Sequence, residues 1–130
     1  MITIPLEDGS PCLYFVSNSS IRPGWRIKLP AKIDTGAQFL MIPDRNKNFF
    51  TTRMTGNSVT FSSASSHSFL GREANILVNI QELGTFPLQA YYYPGERILF
   101  GVKELTKFFS FCLDRRNLYI CPGDEKLPCD

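Results

Sequence analysis

The sequence has little of what metal sites and nucleic-acid interfaces need. It contains one histidine, and its four cysteines form no CxxC pair, so the ligand spacing of a zinc site is missing. We therefore expect no metal and no cofactor. Basic residues are scattered along a chain of net charge +2, with Arg115-Arg116 as the only adjacent basic pair. A nucleic-acid-binding protein needs a clustered basic face, so nucleic acid is not an expected partner.

Long apolar runs and a targeting segment are also missing. No stretch approaches the roughly 20 apolar residues that span a bilayer, so no membrane partner is expected. The beginning, MITIPLEDGSPCLYF, has no basic region followed by an apolar one, and we predict no signal peptide. The expected location is the cytoplasm, where reduced thiols are favoured over disulfides.

Aromatic and β-branched residues are plentiful instead. The 11 Phe and 5 Tyr, together with frequent Val, Ile and Thr, favour sheet over helix. Turn signals recur at short intervals, as in all-β domains. No repeat or linker divides the chain, so we predict a single domain over residues 1–130.

Alternation and turn residues predict the strands of the first half. Ile2 to Leu6 and Cys12 to Val16 are predicted strands around an Asp8-Gly9 turn. The alternating segment that starts at Trp25 is expected to end at Pro30.

The second half is predicted to contain two hairpins and one helix. VTF and SFLGREANILVNI are the expected arms of a long hairpin, and FSFCLDRRNLYI forms a second one around Asp114 to Asn117. Tyr91-Tyr92-Tyr93 is expected in a strand with at least one ring exposed. Val102 to Phe109 has helical spacing and is the only helix predicted.

A single carboxylate, Asp34, interrupts the apolar stretch AKIDTGAQFLMIP. A buried charge needs partners or a purpose. Asp-Thr-Gly on its own is also compatible with an ordinary turn, because all three residues favour turns. Between two buried strands, however, such a turn would present the carboxylate at a defined point, and Gly36 gives the backbone the necessary freedom.

Two segments together resemble a known family. IDTGAQFLMIP is similar to the active-site motif of retropepsin-like aspartic proteases, the single-domain group that includes retroviral proteases, and ILFGVKELTKFFSFCLDRRNLYI is similar to their closing segment. The Ala-Gln continuation resembles the Asp-Ser-Gly-Ala-Gln of the eukaryotic ubiquitin-linked relatives. The resemblance covers about residues 25 to 121 in order. It implies an all-β acid-protease closed barrel with one short C-terminal helix.

The resemblance also implies roles for individual residues. Asp34 would be catalytic, within an active-site turn that continues through Thr35, Gly36 and Ala37. A second structural landmark would consist of Ile98, Leu99 and Gly101, with Gly101 allowing close approach to that turn. The tip of a substrate-binding flap would comprise Ser62, Ser63, Ala64, Ser65, Ser66 and His67.

The chemistry of this family requires a second carboxylate. Aspartic proteases use two carboxyl groups that share one proton, whereas this chain has one Asp-Thr-Gly. The partner of Asp34 is therefore expected to be Asp34 of an identical subunit across a two-fold axis. The predicted function is that of an aspartic endopeptidase acting as a homodimer on an extended polypeptide substrate, which binds by strand addition.

Two alternatives remain open at this point. The chain has Val102 and Lys103 where the family often has an Arg and an acidic or amide residue. A catalytically inactive, dimeric peptide-binding module of the same fold is one alternative, since fold does not fix function. An unrelated small β-barrel interaction domain is the other.

Overall fold

The structure is a computed structural model that describes residues 1–6, 11–18, 26–62, 67–123 and 127–129. A 3-10 helix covers Asp44–Phe49, and the helix α1 is a single turn, Val102–Leu105. The ten strands of the described residues are β1 (Ile2–Pro5), β2 (Cys12–Asn18), β3 (Arg26–Asp34), β4 (Leu40–Pro43), β5 (Thr51–Ser62), β6 (Ser68–Ile80), β7 (Gly84–Tyr93), β8 (Ile98–Gly101), β9 (Phe109–Leu113) and β10 (Asn117–Pro122).

Six strands close into a barrel, which confirms the predicted fold class. Their hydrogen-bonded order is β2-β3-β8-β4-β7-β6, and β6 returns to pair with β2 through Phe15 and Ile80. The pairs β3–β8 and β4–β7 are parallel, whereas the other pairs of the ring are antiparallel. Closure leaves the ring without a free edge, and β5 extends outward from β6.

The apolar side chains of the barrel form one core. Its largest fully buried members include Tyr92, Phe15, Phe100, Leu40 and Ile42. Phe15 and Phe100 meet edge to face, with ring centroids 5.6 Å apart. This geometry is typical of favourable aromatic pairs, and it joins β2 to β8 across the barrel interior.

A second sheet of three strands, ordered β1-β10-β9, packs beside the barrel. The two strands predicted before and after the Asp8-Gly9 turn are present as β1 and β2. β1 pairs with β10, from Ile2↔Ile120 to Pro5↔Asn117. β2 already has β3 and β6 as neighbours, which leaves β1 to find another partner. The predicted Asp8-Gly9 turn lies outside the described residues.

β3 passes through Pro30 instead of ending there. On one side Pro30 faces Tyr14 of β2, and on the other side the pairing with β8 begins only at Ala31. The missing N–H of proline therefore interrupts no bond to β8, and a proline is tolerated where one side of a strand is unpaired. β3 therefore continues for four residues beyond Pro30 and ends at Asp34.

The predicted helix is shorter than the pattern of apolar residues indicated. α1 stops at Leu105, and Phe109 begins β9, where it faces Pro122 of β10. Phe109 is buried in the barrel core, so tertiary packing overrides the local helical spacing. Neither helix among the described residues is long and apolar enough to cross a membrane.

Both predicted hairpins are present. β5 and β6 pair antiparallel from Thr51↔Leu77 to Ser62↔Ser68, and β9 pairs with β10 from Leu113↔Leu118 to Phe109↔Pro122. The expectation of an exposed ring at Tyr91-Tyr92-Tyr93 is wrong, since all three side chains are buried.

One pair of cysteines departs from the expected reduced state. Cys112 of β9 and Cys129 form a disulfide, whereas Cys12 and Cys121 keep their thiols. Gly123 follows β10 with a positive backbone φ of 64°. The N–H of Gly123 donates to the carbonyl of Phe108 at 3.1 Å. The disulfide places Cys129 beside β9, a long-range contact that local spacing does not reveal.

Candidate active site

Asp34 is the last residue of β3 and begins a tight turn. The N–H of Gly36 donates to Asp34 Oδ1 at 2.9 Å, and the N–H of Ala37 donates to the backbone carbonyl of Asp34 at 3.2 Å. A Cβ added to Gly36 would lie 3.3 Å from Asp34 Oδ1, so glycine leaves room for the hydrogen-bonded carboxylate. Asp34 is half-buried and Thr35 is exposed, which leaves this turn open to a ligand.

β8 passes between β3 and β4 directly beside this turn. In the parallel pairing of β3 with β8, Asp34 faces Gly101. A Cβ added to Gly101 would lie 2.3 Å from the backbone of both Gln38 and Phe39. Because a side chain cannot fit there, glycine is required for the second landmark to lie this close to the active-site turn.

The beginning of α1 holds the segment that follows Asp34. The N–H groups of Val102 and Lys103 donate to the carbonyls of Ala37 and Gln38 at 2.9 and 3.0 Å. The first amides of a helix have no partner within the helix, and here they are satisfied by the active-site turn. The turn and the second landmark thus form one hydrogen-bonded unit.

Glu104 is a buried acid that the sequence analysis missed. The residue is 5% exposed. Oε2 accepts the N–H of Gln89 at 2.9 Å, and Oε1 pairs with Lys107 Nζ at 2.7 Å. The only signal in the sequence is the Glu-Lys spacing of three residues, which is equally typical of a solvated helix face. The carboxylate fastens α1 to β7, and α1 in turn holds the active-site turn.

Asp34 and Thr35 line an open groove of about 390 Å³. Apolar side chains of the second sheet region, Leu113 and Leu118, contribute to its walls. Within the part of the chain that the structure describes, Gly36 donates the only hydrogen bond to the Asp34 carboxylate, and no group of three or more metal-ligating side chains occurs. Among the described residues that line this groove, Asp34 is the only carboxylate, and Leu113 and Leu118 form an apolar part of the wall.

Comparison with known proteins identifies the fold. No family model and no curated protein matches the sequence. A solved structure of a retropepsin-like aspartic protease from Rickettsia conorii matches over 92% of this chain and 91% of that chain, with a TM-score of 0.54 and 20% sequence identity. The chain has a retropepsin-like fold. This comparison confirms the family resemblance seen in the sequence at the level of the fold.

The β5–β6 hairpin extends beyond the barrel of this retropepsin-like fold. β6 pairs with β7 only from Arg72 onward, whereas β5 and β6 continue as a two-stranded arm to Ser62 and Ser68. Of the residues predicted for the flap tip, Ser62 ends β5 and His67 is exposed just before β6. Residues 63–66 lie outside the described part of the chain.

An aromatic cluster attaches the β5–β6 hairpin to the retropepsin-like barrel. The rings of Phe61 and Phe69 stack with centroids 5.6 Å apart, and Phe61 meets Phe39 at 5.9 Å and Tyr91 at 5.3 Å. Phe39 belongs to the segment after the active-site turn, so the hairpin contacts that segment directly. The full cluster contains Phe39, Met41, Phe61, Phe69, Tyr91, Tyr93 and Leu99.

A bulge marks the place where the hairpin leaves the sheet. The pairing of β5 with β6 is irregular between Met54 and Ser58, and Gly56 has a φ of 87°. The side chain of Asn57 donates to Glu73 Oε1, and the hydroxyl of Tyr91 donates to Glu73 Oε2, both at 3.3 Å. Hydrogen bonds from the side chains of Thr55 and Asn57 lower the pKa of Glu73.

Proposed function

We propose that the chain is an aspartic endopeptidase that acts as a homodimer, with Asp34 of each subunit forming the catalytic pair. One observation carries the proposal. In a retropepsin-like fold, the carboxylate of Asp34 is held by the N–H of Gly36 directly opposite Gly101. This is a half-buried carboxylate that the fold keeps at a defined point.

The proposed chemistry needs two carboxyl groups about 3 Å apart. Like charges this close do not both ionise, so one carboxyl keeps its proton and the other is anionic. The anionic Asp34 takes a proton from water while the water oxygen attacks the peptide carbonyl. The protonated Asp34 donates to the carbonyl oxygen, and the amine then leaves. In this proposal Thr35 forms a hydrogen bond across the axis, and Gly36 lines the floor of the cleft.

The single motif and the open groove support a dimeric site. The sequence contains one Asp-Thr-Gly, so the second carboxylate of the pair has to come from another subunit. Leu113 is 49% exposed and lies in the same groove as Asp34. An exposed apolar side chain beside the proposed axis is suited to burial against a second copy of the chain.

The proposed substrate is an extended polypeptide. The β5–β6 hairpin projects from the sheet as a two-stranded arm, and a strand edge can bind a peptide through backbone hydrogen bonds. We assign the tip, Ser62 to His67, as the flap that covers the substrate. Ordering of the flap on binding a peptide-like inhibitor, measured by amide exchange, tests this assignment.

Incubation of the purified protein with a casein-like substrate from about pH 3 to pH 8 tests the proposed activity, because coupled carboxyl groups titrate over a wide range. Cleavage that is lost in Asp34→Asn supports it. A folded dimer that binds peptides and cleaves none at any pH would instead show the inactive binding module of the same fold. The observed fold gives no support to an unrelated small β-barrel domain.

A further inference from the structure

Two cysteines of the terminal hairpin share the side that faces away from the barrel core. Cys112 of β9 lies opposite Tyr119 of β10, and Cys121 lies two residues further along the same strand. Paired residues, and residues two apart in a strand, point to the same face of a sheet. Cys112 and Cys121 are therefore diagonal neighbours on one face. Leu118 and Ile120 point to the opposite face and are buried in the barrel core.

The last described residues lie against this outer face. Cys121 is 0% exposed although it points away from the barrel core. The hydroxyl of Ser110 donates to the carbonyl of Gly123 at 2.9 Å, which holds the end of β10 against β9. Leu127 is 7% exposed, and Cys129 is bonded to Cys112. Residues 127–129, which we call the tail, are thus packed on the face that carries Cys121.

We propose that Cys112 and Cys129 form a reversible redox site, whose reduction releases the tail and uncovers the thiol of Cys121. The argument rests on the accessibility of the two ends of the bond. Cys129 is exposed, whereas Cys112 is half-buried in β9. A reductant can therefore reach the Cys129 sulfur while β9 stays paired with β10. Exposed disulfides are the ones that undergo exchange readily.

The reductant of this site is a dithiol. One of its thiolates attacks Cys129 Sγ, which forms a mixed disulfide and displaces the Cys112 thiolate. The second thiolate of the reductant then attacks the reductant's other sulfur, the one bonded to Cys129, and releases the Cys129 thiolate. The dithiol loses two electrons and two protons and becomes a disulfide, and Cys112 and Cys129 each end as a thiol. No other reactant is needed.

The alkylation rate of Cys121 tests the proposal on the full wild-type chain. The protein is kept oxidised or is treated with dithiothreitol, then exposed to iodoacetamide without denaturant, and each cysteine is followed by peptide mass spectrometry. We expect Cys121 to react at least about tenfold faster after reduction, because protection by a packed segment is lost when the segment opens. Unchanged far-ultraviolet circular dichroism shows that the barrel has not unfolded. An equal rate in both states, or the absence of a Cys112–Cys129 linkage from the oxidised protein, would overturn the proposal.

Two variants distinguish the release of the tail from other effects of the reductant on the reactivity of Cys121. Cys129→Ser removes the bond without changing β9, so Cys121 should react fast with or without dithiothreitol. Cys12→Ser is the matched control and should keep the full redox dependence. If Cys121 stays protected in Cys129→Ser, the tail is not its cover and the proposal is wrong. The assay needs no peptide cleavage, so its result is independent of the proposed protease activity.

Discussion

Asp34 and Gly101 face each other across the parallel pairing of β3 and β8. The two residues come from segments far apart in the sequence, yet the N–H groups that follow Gly101 donate to the carbonyls that follow Asp34. The position of the carboxylate is therefore determined by the barrel itself and by the first turn of α1.

Replacement of Asp34 by Asn tests the catalytic role directly. Asparagine keeps the size of the side chain and an oxygen that can accept the Gly36 N–H, but it cannot share a proton with a partner carboxylate. We expect a folded protein whose kcat/KM falls by about a thousandfold or more, as for residues that act in the chemical step. Glu82→Gln, at an exposed position in the β6–β7 turn, is the control and should retain activity. Cleavage near the wild-type rate in Asp34→Asn would show that this carboxylate is not catalytic.

Mixed dimers test whether two chains build one site. When wild-type and Asp34→Asn subunits re-associate at random, only dimers with two Asp34 carboxylates should be active. Equal mixing then leaves about a quarter of the activity, whereas independent sites in each chain leave about half. The subunits must first be exchanged in mild denaturant or by dilution, because dimers are held together by mass action. Activity that falls linearly with the wild-type fraction after proven exchange would contradict the shared site.

Gly101→Ala tests the close approach of β8 to the active-site turn. The new Cβ would lie 2.3 Å from backbone atoms of Gln38 and Phe39, so the two segments have to separate. We expect a loss of about 1–3 kcal/mol in the free energy of unfolding, typical of overpacking, measured by urea denaturation. Lys103→Ala is the nearby control. This variant removes the contact of the exposed Lys103 side chain with the Phe39 ring, so we expect a loss of only about 0.5–1 kcal/mol in the free energy of unfolding.

Two substitutions at Glu104 separate hydrogen bonding from burial. Glu104→Leu leaves the N–H of Gln89 without its acceptor, and an unsatisfied buried donor costs about 1–3 kcal/mol. Glu104→Gln retains an oxygen that can accept this N–H, so we expect it to be the less destabilised variant in urea denaturation. Equal stability of the two variants would show that the bond to β7 contributes nothing.

The lowered pKa of Glu73 predicts a dependence of stability on pH. The folded state favours the ionised carboxylate, whose ordinary pKa is near 4.5. The contribution of Glu73 is thus fully present above that pH and is lost as the pH falls through the lower pKa of the folded protein. Thermal unfolding of wild type and Glu73→Gln should differ at about pH 7 and converge at about pH 3. A constant difference between the two proteins across this pH range would exclude this role.

Local patterns predicted the elements around Asp34 because their signals lie within short stretches. The Asp-Thr-Gly turn, the apolar run that ends at Gly101 and the alternating arms of both hairpins need no knowledge of distant residues. The family resemblance added the closed barrel, and the fold comparison confirms it.

The features that the sequence did not reveal depend on contacts between distant segments. The pairing of Ile2 with Ile120 and the disulfide between Cys112 and Cys129 join residues whose local patterns do not indicate a partner. A glutamate in a predicted helix is ordinarily exposed to solvent. The burial of Glu104 is explained only by the nearby N–H of Gln89, which donates to its carboxylate. Tyr91 and Tyr93 are buried because Phe61 and Phe69 of the hairpin pack on them.

The pairing of β1 with β10 also has a consequence during biosynthesis. β1 is made before its partner residues, from Asn117 to Ile120, which follow more than a hundred positions later. The barrel strands β2 to β8 can close while β1 is still unpaired. Until translation reaches β10, the nascent chain therefore carries an apolar strand with a bare edge, the kind of segment that associates with wrong partners. The second sheet can therefore form only after β10 has been made, later than the strands of the barrel.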